Sequence, residues 1–389
     1  MMTVLLVIIY VAFISLGLPD SLLGSAWPAM YEGFGMPVSA AGVISMTIAA
    51  GTIISSLLSE RLIRRLGTGL VTLISVTMTA VALLGISFSG SFVAVLLWAI
   101  PLGLGAGSVD AALNNFVALH YKASHMNWLH CFWGLGASAG PVIMSYYLAQ
   151  SGAWSSGYRA VSVIQFTLVA VLVVSLPLWK KARGGAEEGE QDQGERFGIG
   201  RLLALPGAKA TLVSFFCYCA IETTVGLWGS TFFVLVRGIG PDVAARWISL
   251  YFMGITLGRA FSGFLSVRLS SIQMIRLGQG LMAAGVLILL LPLSGWPLLV
   301  GLFCIGLGCA PIFPTLLHET PNSFGKEHSQ AIMGVQMATA YIGSTLMPPL
   351  FGLLGASLGY GLLPWYLGAL LILMICMVQL LYRQVRKAA

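Results

Sequence analysis

The fold is decided by a short stretch that reads, from residue 51 to residue 67, GTIISSLLSERLIRRLG. Its first part is apolar or small, and its last part carries Glu60 and Arg61, followed by Arg64 and Arg65. Basic residues collect on the cytoplasmic side of membrane helices. The stretch therefore predicts a membrane-spanning helix that ends in a charged cytoplasmic loop.

The composition of the whole chain favours lipid as its main solvent. Of its 389 residues, 58% are hydrophobic and only 8% are charged, whereas soluble domains carry about 25% charged residues. The net charge of +7 could suggest nucleic acid, but the basic residues lie in short loops between apolar segments, which is a topology pattern. We therefore expect the lipid bilayer as a partner and no nucleic acid. The six cysteines lie in apolar stretches and predict neither disulfides nor metal ligands.

Twelve segments are long enough to span a bilayer, which takes about 20 mostly apolar residues. They are 3–31, 40–59, 68–89, 92–119, 127–150 and 158–179, then 208–236, 243–265, 272–292, 296–318, 328–354 and 359–382. The sequence predicts an all-α membrane protein with two six-helix halves, 1–180 and 207–389, and a polar cytoplasmic linker, 181–206. Pro19 predicts a break in the first helix.

The basic residues also predict the orientation. With both termini in the cytoplasm, sixteen of the twenty Lys and Arg residues fall on the cytoplasmic side and three, Arg159, Arg237 and Arg246, fall outside. Arg259 lies within the eighth span. This asymmetry predicts a multi-pass protein of the inner (plasma) membrane with both ends inside.

The two halves repeat one another at a nearly constant offset. Three pairs lie 207 residues apart: Arg61 and Arg268, Gly136 and Gly343, Pro141 and Pro348. Leu22-Leu-Gly-Ser matches Leu227-Trp-Gly-Ser at an offset of 205. Such a repeat predicts a pseudo-two-fold axis along the membrane normal, with a transport path between the halves.

Three carboxylates lie deep within predicted spans: Asp20, Asp110 and Glu222. A charge at the bilayer centre costs about 2.5–3.5 kcal/mol on insertion scales, so such residues usually face a cavity and serve a function. The alternative is a structural residue that is protonated or hydrogen-bonded between helices. We expect Asp110, Asp20 and Glu222 to be candidates for cation coupling.

Polar and aromatic residues near these carboxylates are candidates for binding a solute. Asp110 and Asn114 are four residues apart and share a helix face, and a carboxylate beside an amide suits a polyol. We expect Asp110, Asn114, His130 and Glu222 to line one central cavity. The predicted substrate-binding residues are Asn114, Asn115, His130, Trp133, Glu222, Trp228, Gln336 and Tyr341. The histidines could instead pack between helices and the tryptophans could anchor span ends. No spacing fits a metal site, and no metal or cofactor is expected.

The charged loop after the second span resembles the cytoplasmic loop signature of the major facilitator superfamily, although Ser56 stands where that signature has glycine. The resemblance implies a cytoplasmic gate formed by Glu60, Arg61, Arg65 and Arg268. The alternative is plain positive-inside anchoring. Residues 103–141 and 218–223 are similar to the sugar-symporter branch, which includes the fucose permeases and the glucose/mannose–proton symporters. That resemblance implies that Asp110 carries a proton or contacts substrate.

These observations predict a secondary active transporter and not an enzyme. We expect it to work as a monomer by alternating access and to move a small polar solute, a monosaccharide, with a cation, a proton being favoured over sodium. A proton-coupled drug or metabolite efflux antiporter is the main alternative. An integral membrane enzyme or a receptor-like sensor is a third class, but no nucleotide loop, metal motif or catalytic triad is present in the sequence.

The acidic linker yields the first testable prediction. Its composition is that of a flexible tether, so removing residues 187–195 should leave solute uptake nearly unchanged. The measurement is uptake into cells, normalised to the amount of protein in the membrane. Loss of uptake at normal membrane levels would show that the linker has a specific role.

Overall fold

The computed structural model describes residues 2–121, 123–183 and 199–388, and these residues form helices and turns without any strand. The helices before the linker are α1 (Met2–Asp20), α2 (Leu22–Met30), α3 (Ala41–Leu66), α4 (Thr68–Ser87), α5 (Phe92–His120), α6 (Ala123–Ser151) and α7 (Trp154–Arg183). After it come α8 (Ile199–Leu203), α9 (Ala208–Arg237), α10 (Pro241–Leu265), α11 (Ser271–Leu290), α12 (Trp296–His318), α13 (Thr320–Phe324), α14 (Lys326–Leu358) and α15 (Leu363–Ala388).

Each predicted span corresponds to helical structure. Among the described residues, eleven spans are long and apolar enough to cross a membrane. The remaining predicted span corresponds to α6, which has 29 residues but carries His125 and His130 and so is less apolar. The predicted break in the first helix is confirmed, because α1 ends at Asp20 and α2 begins at Leu22. Most of the predicted linker, residues 184–198, lies outside the described residues.

The chain divides into two compact units. The first unit comprises Met1–Gly189 with Gly229–Phe252, and the second unit comprises Glu190–Trp228 with Met253–Ala389. Residues 229–252, the adjoining ends of α9 and α10, therefore group with the first unit, although the sequence assigned them to the C-terminal half. The predicted halves 1–180 and 207–389 stay a prediction.

Helix packing in the first unit depends on glycine. On α6, a methyl group at Gly136 would overlap the carbonyl oxygen of Ile14 on α1, so the two helices touch backbone to backbone. On α3, a methyl group at Gly51 would press on the backbone of Gly103 on α5. Small residues allow this approach between membrane helices, where packing rather than hydrophobic burial holds helices together.

The second unit repeats both contacts. A methyl group at Gly343 on α14 would overlap the carbonyl oxygen of Phe216 on α9, and one at Gly258 on α10 would press on Ala310 of α12. Gly343, Gly258 and Ala310 each lie 207 residues after their counterparts in the first unit. The offset found in the sequence is thus also an offset of packing contacts.

A buried glutamine ties three helices of the first unit together. Gln165 on α7 accepts a hydrogen bond from the Ser15 hydroxyl of α1 at 2.7 Å and donates one to the Ser15 carbonyl oxygen at 2.6 Å. It also accepts from the Thr79 hydroxyl of α4 at 3.3 Å. These bonds satisfy a polar side chain that would be costly to bury alone.

The glycine contact between α1 and α6 can be tested directly. Gly136→Val should destabilise the protein by about 1–3 kcal/mol or more, because the added methyl groups force the helices apart. The measurement is thermal unfolding of the detergent-purified protein. Gly280→Ala on α11 is the matched control, since a methyl group there meets no atom within 4 Å. Equal unfolding temperatures for the two variants would contradict the packing role.

Candidate functional site

Asp110 and Asn114 form a polar pair on one face of α5, as their spacing predicts. The Asn114 amide nitrogen donates to the Asp110 carboxylate at 2.9 Å and to the Asp110 carbonyl oxygen at 3.0 Å. Both side chains are partly buried, whereas Asn115 is exposed. Asn114 thus holds the Asp110 carboxylate in a fixed orientation and leaves it partly accessible.

Asp20 supplies a second carboxylate in the first unit. It lies at the end of α1, where the helix breaks, and it is exposed. The indole nitrogen of Trp133 on α6 donates to its carboxylate at 2.8 Å. Within the described part of the chain, neither carboxylate forms an ion pair with Lys or Arg.

The histidines occupy separate positions around the same helices. His130 is exposed on α6, with its ring edge-on to Phe13 at 6.1 Å between centroids. His125 and the Tyr10 hydroxyl are hydrogen-bonded at 2.9 Å, and His120 is bonded to the Phe116 carbonyl oxygen at 2.9 Å. Among the described residues, no group of three or more His, Cys, Asp or Glu side chains could hold a metal ion.

A small internal cavity of about 10 Å³ lies between α1, α4, α5 and α7. Ser15, Thr79 and Gln165 line it, and its wall includes Pro19 and Val109, the neighbours of the two carboxylates in sequence. A volume of this size holds about one water molecule. The cavity can hydrate the Gln165 network, but it is too small for a sugar.

The second unit holds a carboxylate of a different kind. Glu222 on α9 and Arg259 on α10 form an ion pair with 3.5 Å between the guanidinium nitrogen and the carboxylate oxygen. The two side chains are only 15% and 18% exposed, respectively. Sequence reasoning left Arg259 unexplained within its span. The lone intramembrane arginine was itself a signal, because such residues pair with an acid or line a cavity.

Two predicted substrate-binding residues are fully buried in this structure. The Trp228 indole nitrogen donates to the Pro348 carbonyl oxygen at 2.7 Å, and its ring packs on Tyr360 at 5.5 Å. Gln336 accepts from Thr320 and donates to Thr211, each at 3.1 Å. Both side chains thus have packing roles here and offer no surface to a solute. Tyr341, by contrast, is 41% exposed.

The predicted cytoplasmic gate residues lie on exposed surface. Glu60 pairs with Arg64 at 3.5 Å, one turn along α3. Arg268, in the loop after α10, is exposed as well. An exposed ion pair of this kind contributes about 0–1 kcal/mol to stability. It is no evidence for a gate, and the gate stays a prediction. The single cavity lined by Asp110, Asn114, His130 and Glu222 also stays a prediction.

The fold and these intramembrane polar groups are those of a membrane transporter, and comparison with known proteins identifies the family. A sequence model of the Major Facilitator Superfamily matches residues 9–317 and 210–389. The chain belongs to the major facilitator superfamily. The predicted all-α fold is therefore the major facilitator fold, and the protein is a transporter and not an enzyme.

Individual relatives are distant but cover nearly the whole chain. A glucose/mannose transporter of Bacillus subtilis is 24% identical over 357 residues, which are 88% of this chain and 86% of that protein. The solved structure of a nucleoside transporter matches with a TM-score of 0.75 and 14% identity, over 96% of this chain and 98% of that chain. A D-xylose–proton symporter matches with a TM-score of 0.72 and 13% identity, over 96% of each chain.

The burial of Gln336 leads to a prediction that separates packing from binding. Gln336→Met should destabilise the protein by about 1–3 kcal/mol, because the buried hydroxyl groups of Thr211 and Thr320 lose their hydrogen bonds to Gln336. Thermal unfolding measures the loss, and the half-saturation concentration for solute should stay unchanged. Ser357→Ala is the control on the same helix, since Ser357 is exposed and bonds only to its own helix. A changed solute affinity at unchanged stability would show that Gln336 belongs to the binding site.

Proposed function

We propose that this transporter takes up a monosaccharide together with a proton, by alternating access. One observation carries the proposal: Asp20 and Asp110 are partly or fully accessible within helices expected to span the membrane, and in the described residues neither has a basic partner. Neutral donors, Asn114 and Trp133, surround them instead. The similarity to a glucose/mannose transporter and to the fold of a xylose–proton symporter supports the same function.

Cation coupling follows from the charges of the first unit. An ionised carboxylate without a basic partner is costly within a membrane-spanning helix. Binding a proton to Asp20 or Asp110 removes this cost. If solute binds the same region, cation and solute stabilise the same state, and each must raise the affinity for the other by the same factor. Sodium could act in place of the proton, because carboxylate and amide oxygens also bind it.

The chemistry of the accessible side chains favours an uncharged polyhydroxy solute. Asp110 can accept hydrogen bonds from hydroxyl groups, Asn114 and Asn115 can both donate and accept, and His130 is exposed. The ring of Trp133 offers an apolar face on which the C–H groups of a sugar can stack. An antiporter for apolar drugs would be expected to have a roomier, apolar site with fewer such groups. Trp228 and Gln336 are left out of the proposed site because they are buried.

The membrane setting is part of the proposal. We place the protein in the inner (plasma) membrane with both termini in the cytoplasm, on the distribution of its basic residues. Its working unit in this proposal is the monomer. Arg61, Arg65 and Arg268 then lie at the cytoplasmic ends of α3 and α10. In that position they can close the solute path from the inside, together with Glu60.

The role of Asp110 can be tested by separating coupling from binding. Asp110→Asn keeps the shape of the side chain and removes its charge, so gradient-driven accumulation of hexose in proteoliposomes should be lost while counterflow exchange is at least partly retained. Glu222→Gln should instead weaken solute binding more than coupling.

Imposed proton and sodium gradients, each with its own ionophore, identify the cation in the same assay. Asp242→Asn, in the first turn of α10, is the control for loss of a carboxylate outside the site. If Asp110→Asn still concentrates hexose against a gradient, the coupling role passes to Asp20 or Glu222. If no hexose is exchanged by the unaltered protein, the sugar assignment is wrong.

A further inference from the structure

The ion pair of the second unit points to a determinant of charge selectivity. We propose that Arg259 fixes and neutralises the Glu222 carboxylate, so that this part of the transporter accepts uncharged solutes and rejects charged ones. Arg259 is thereby a positioning residue that acts through Glu222. The inference rests on the proposed function in one respect, namely that Glu222 contacts the solute.

The surroundings of the pair explain why neither charge can be left alone. Glu222 and Arg259 are 15% and 18% exposed, whereas Glu60 and Arg64, at the same separation of 3.5 Å, are 66% and 70% exposed. Water solvates the exposed pair almost fully and replaces a lost partner at little cost. The inner pair is much less solvated, so water compensates less for the loss of either charge.

The internal repeat indicates that the positive charge is specific to the second unit. The position 207 residues before Arg259 is Thr52, which donates to the Gly103 carbonyl oxygen at 3.2 Å. Asp20 and Glu222 correspond in their distance from the repeated glycine contacts, because they lie six residues after Ile14 and Phe216 respectively. The corresponding position is therefore a carboxylate bonded to an indole in the first unit and a carboxylate paired with a guanidinium in the second unit.

The partial exposure of the pair leaves Glu222 accessible to a solute. Tyr218, one turn before Glu222 on α9, is only 1% exposed, and like Trp228 and Gln336 it offers no surface to a solute. A solute hydroxyl can therefore donate to Glu222 while Arg259 stays engaged. A carboxylated solute would compete with Glu222 for Arg259 and would break the ion pair.

Removing either charge should shift the charge selectivity for solutes, and the two removals should shift it in opposite directions. In Glu222→Gln the guanidinium charge is no longer neutralised by Glu222 and can attract an anion, so the ratio of D-glucuronate to D-glucose counterflow in proteoliposomes should rise roughly tenfold or more. In Arg259→Gln the carboxylate charge is no longer neutralised by Arg259, and the ratio of protonated D-glucosamine to D-glucose should rise instead. The double variant Glu222→Gln/Arg259→Gln should regain the preference for the neutral sugar. The two single variants are tested with sugars of opposite charge. If one variant does not fold, the other therefore still tests the inference.

A second readout does not depend on the identity of the solute. Sulfate at constant ionic strength should raise the unfolding temperature of purified Glu222→Gln and not that of the unaltered protein or the double variant. Glu32→Gln, which makes the same charge change at an exposed loop residue, is the matched control. Equal sulfate effects in all variants, or unchanged selectivity in both single variants, would overturn the inference. If the unaltered protein exchanges no sugar, the proposed function fails while the sulfate result still decides the role of Arg259.

Discussion

Contact between helix backbones is the constraint on which the rest of this structure depends. Membrane helices gain little by hiding apolar side chains from lipid, so they are held together by close packing and by hydrogen bonds. Here the helix backbones approach closely at Gly136 against Ile14 and at Gly343 against Phe216, where a methyl group would overlap a carbonyl oxygen. These contacts fix the register of α1 against α6 and of α9 against α14. Asp20 and Glu222 owe their positions to that register.

Against this repeated framework, the two units differ in charge. In the first unit Asp20 and Asp110 are bonded to neutral donors, and in the second unit Glu222 forms an ion pair with Arg259. A group that must gain and lose a cation needs a charge that is not already balanced. A group that only positions a neutral solute gains from having its charge balanced. The two kinds of carboxylate thus suit two different tasks in one transport cycle.

The sequence was sufficient for features that depend on local pattern or on composition. Span positions follow from hydropathy, the break after Pro19 follows from proline chemistry, and the bond between Asp110 and Asn114 follows from helical spacing. It was insufficient where the answer depends on which helices adjoin. The partner of Glu222 is such a case, since Arg259 is 37 residues away on the next helix. The burial of Trp228 and Gln336 is another, because an aromatic or amide side chain within a span looks the same in sequence whether it meets a cavity or a neighbouring helix.

The repeat also bears on how such a protein can change over generations. A backbone contact between helices leaves room for little more than a methyl group, and the two copies differ there only between Gly103 and Ala310 among the four residues Gly51, Gly103, Gly258 and Ala310. The next position differs in charge: Thr52 follows Gly51 in one copy and Arg259 follows Gly258 in the other. Threonine and arginine codons can differ by one base. Neutralising one of two corresponding carboxylates therefore lies within a single mutational step of a symmetric ancestor, while the architecture that carries both carboxylates stays unaltered.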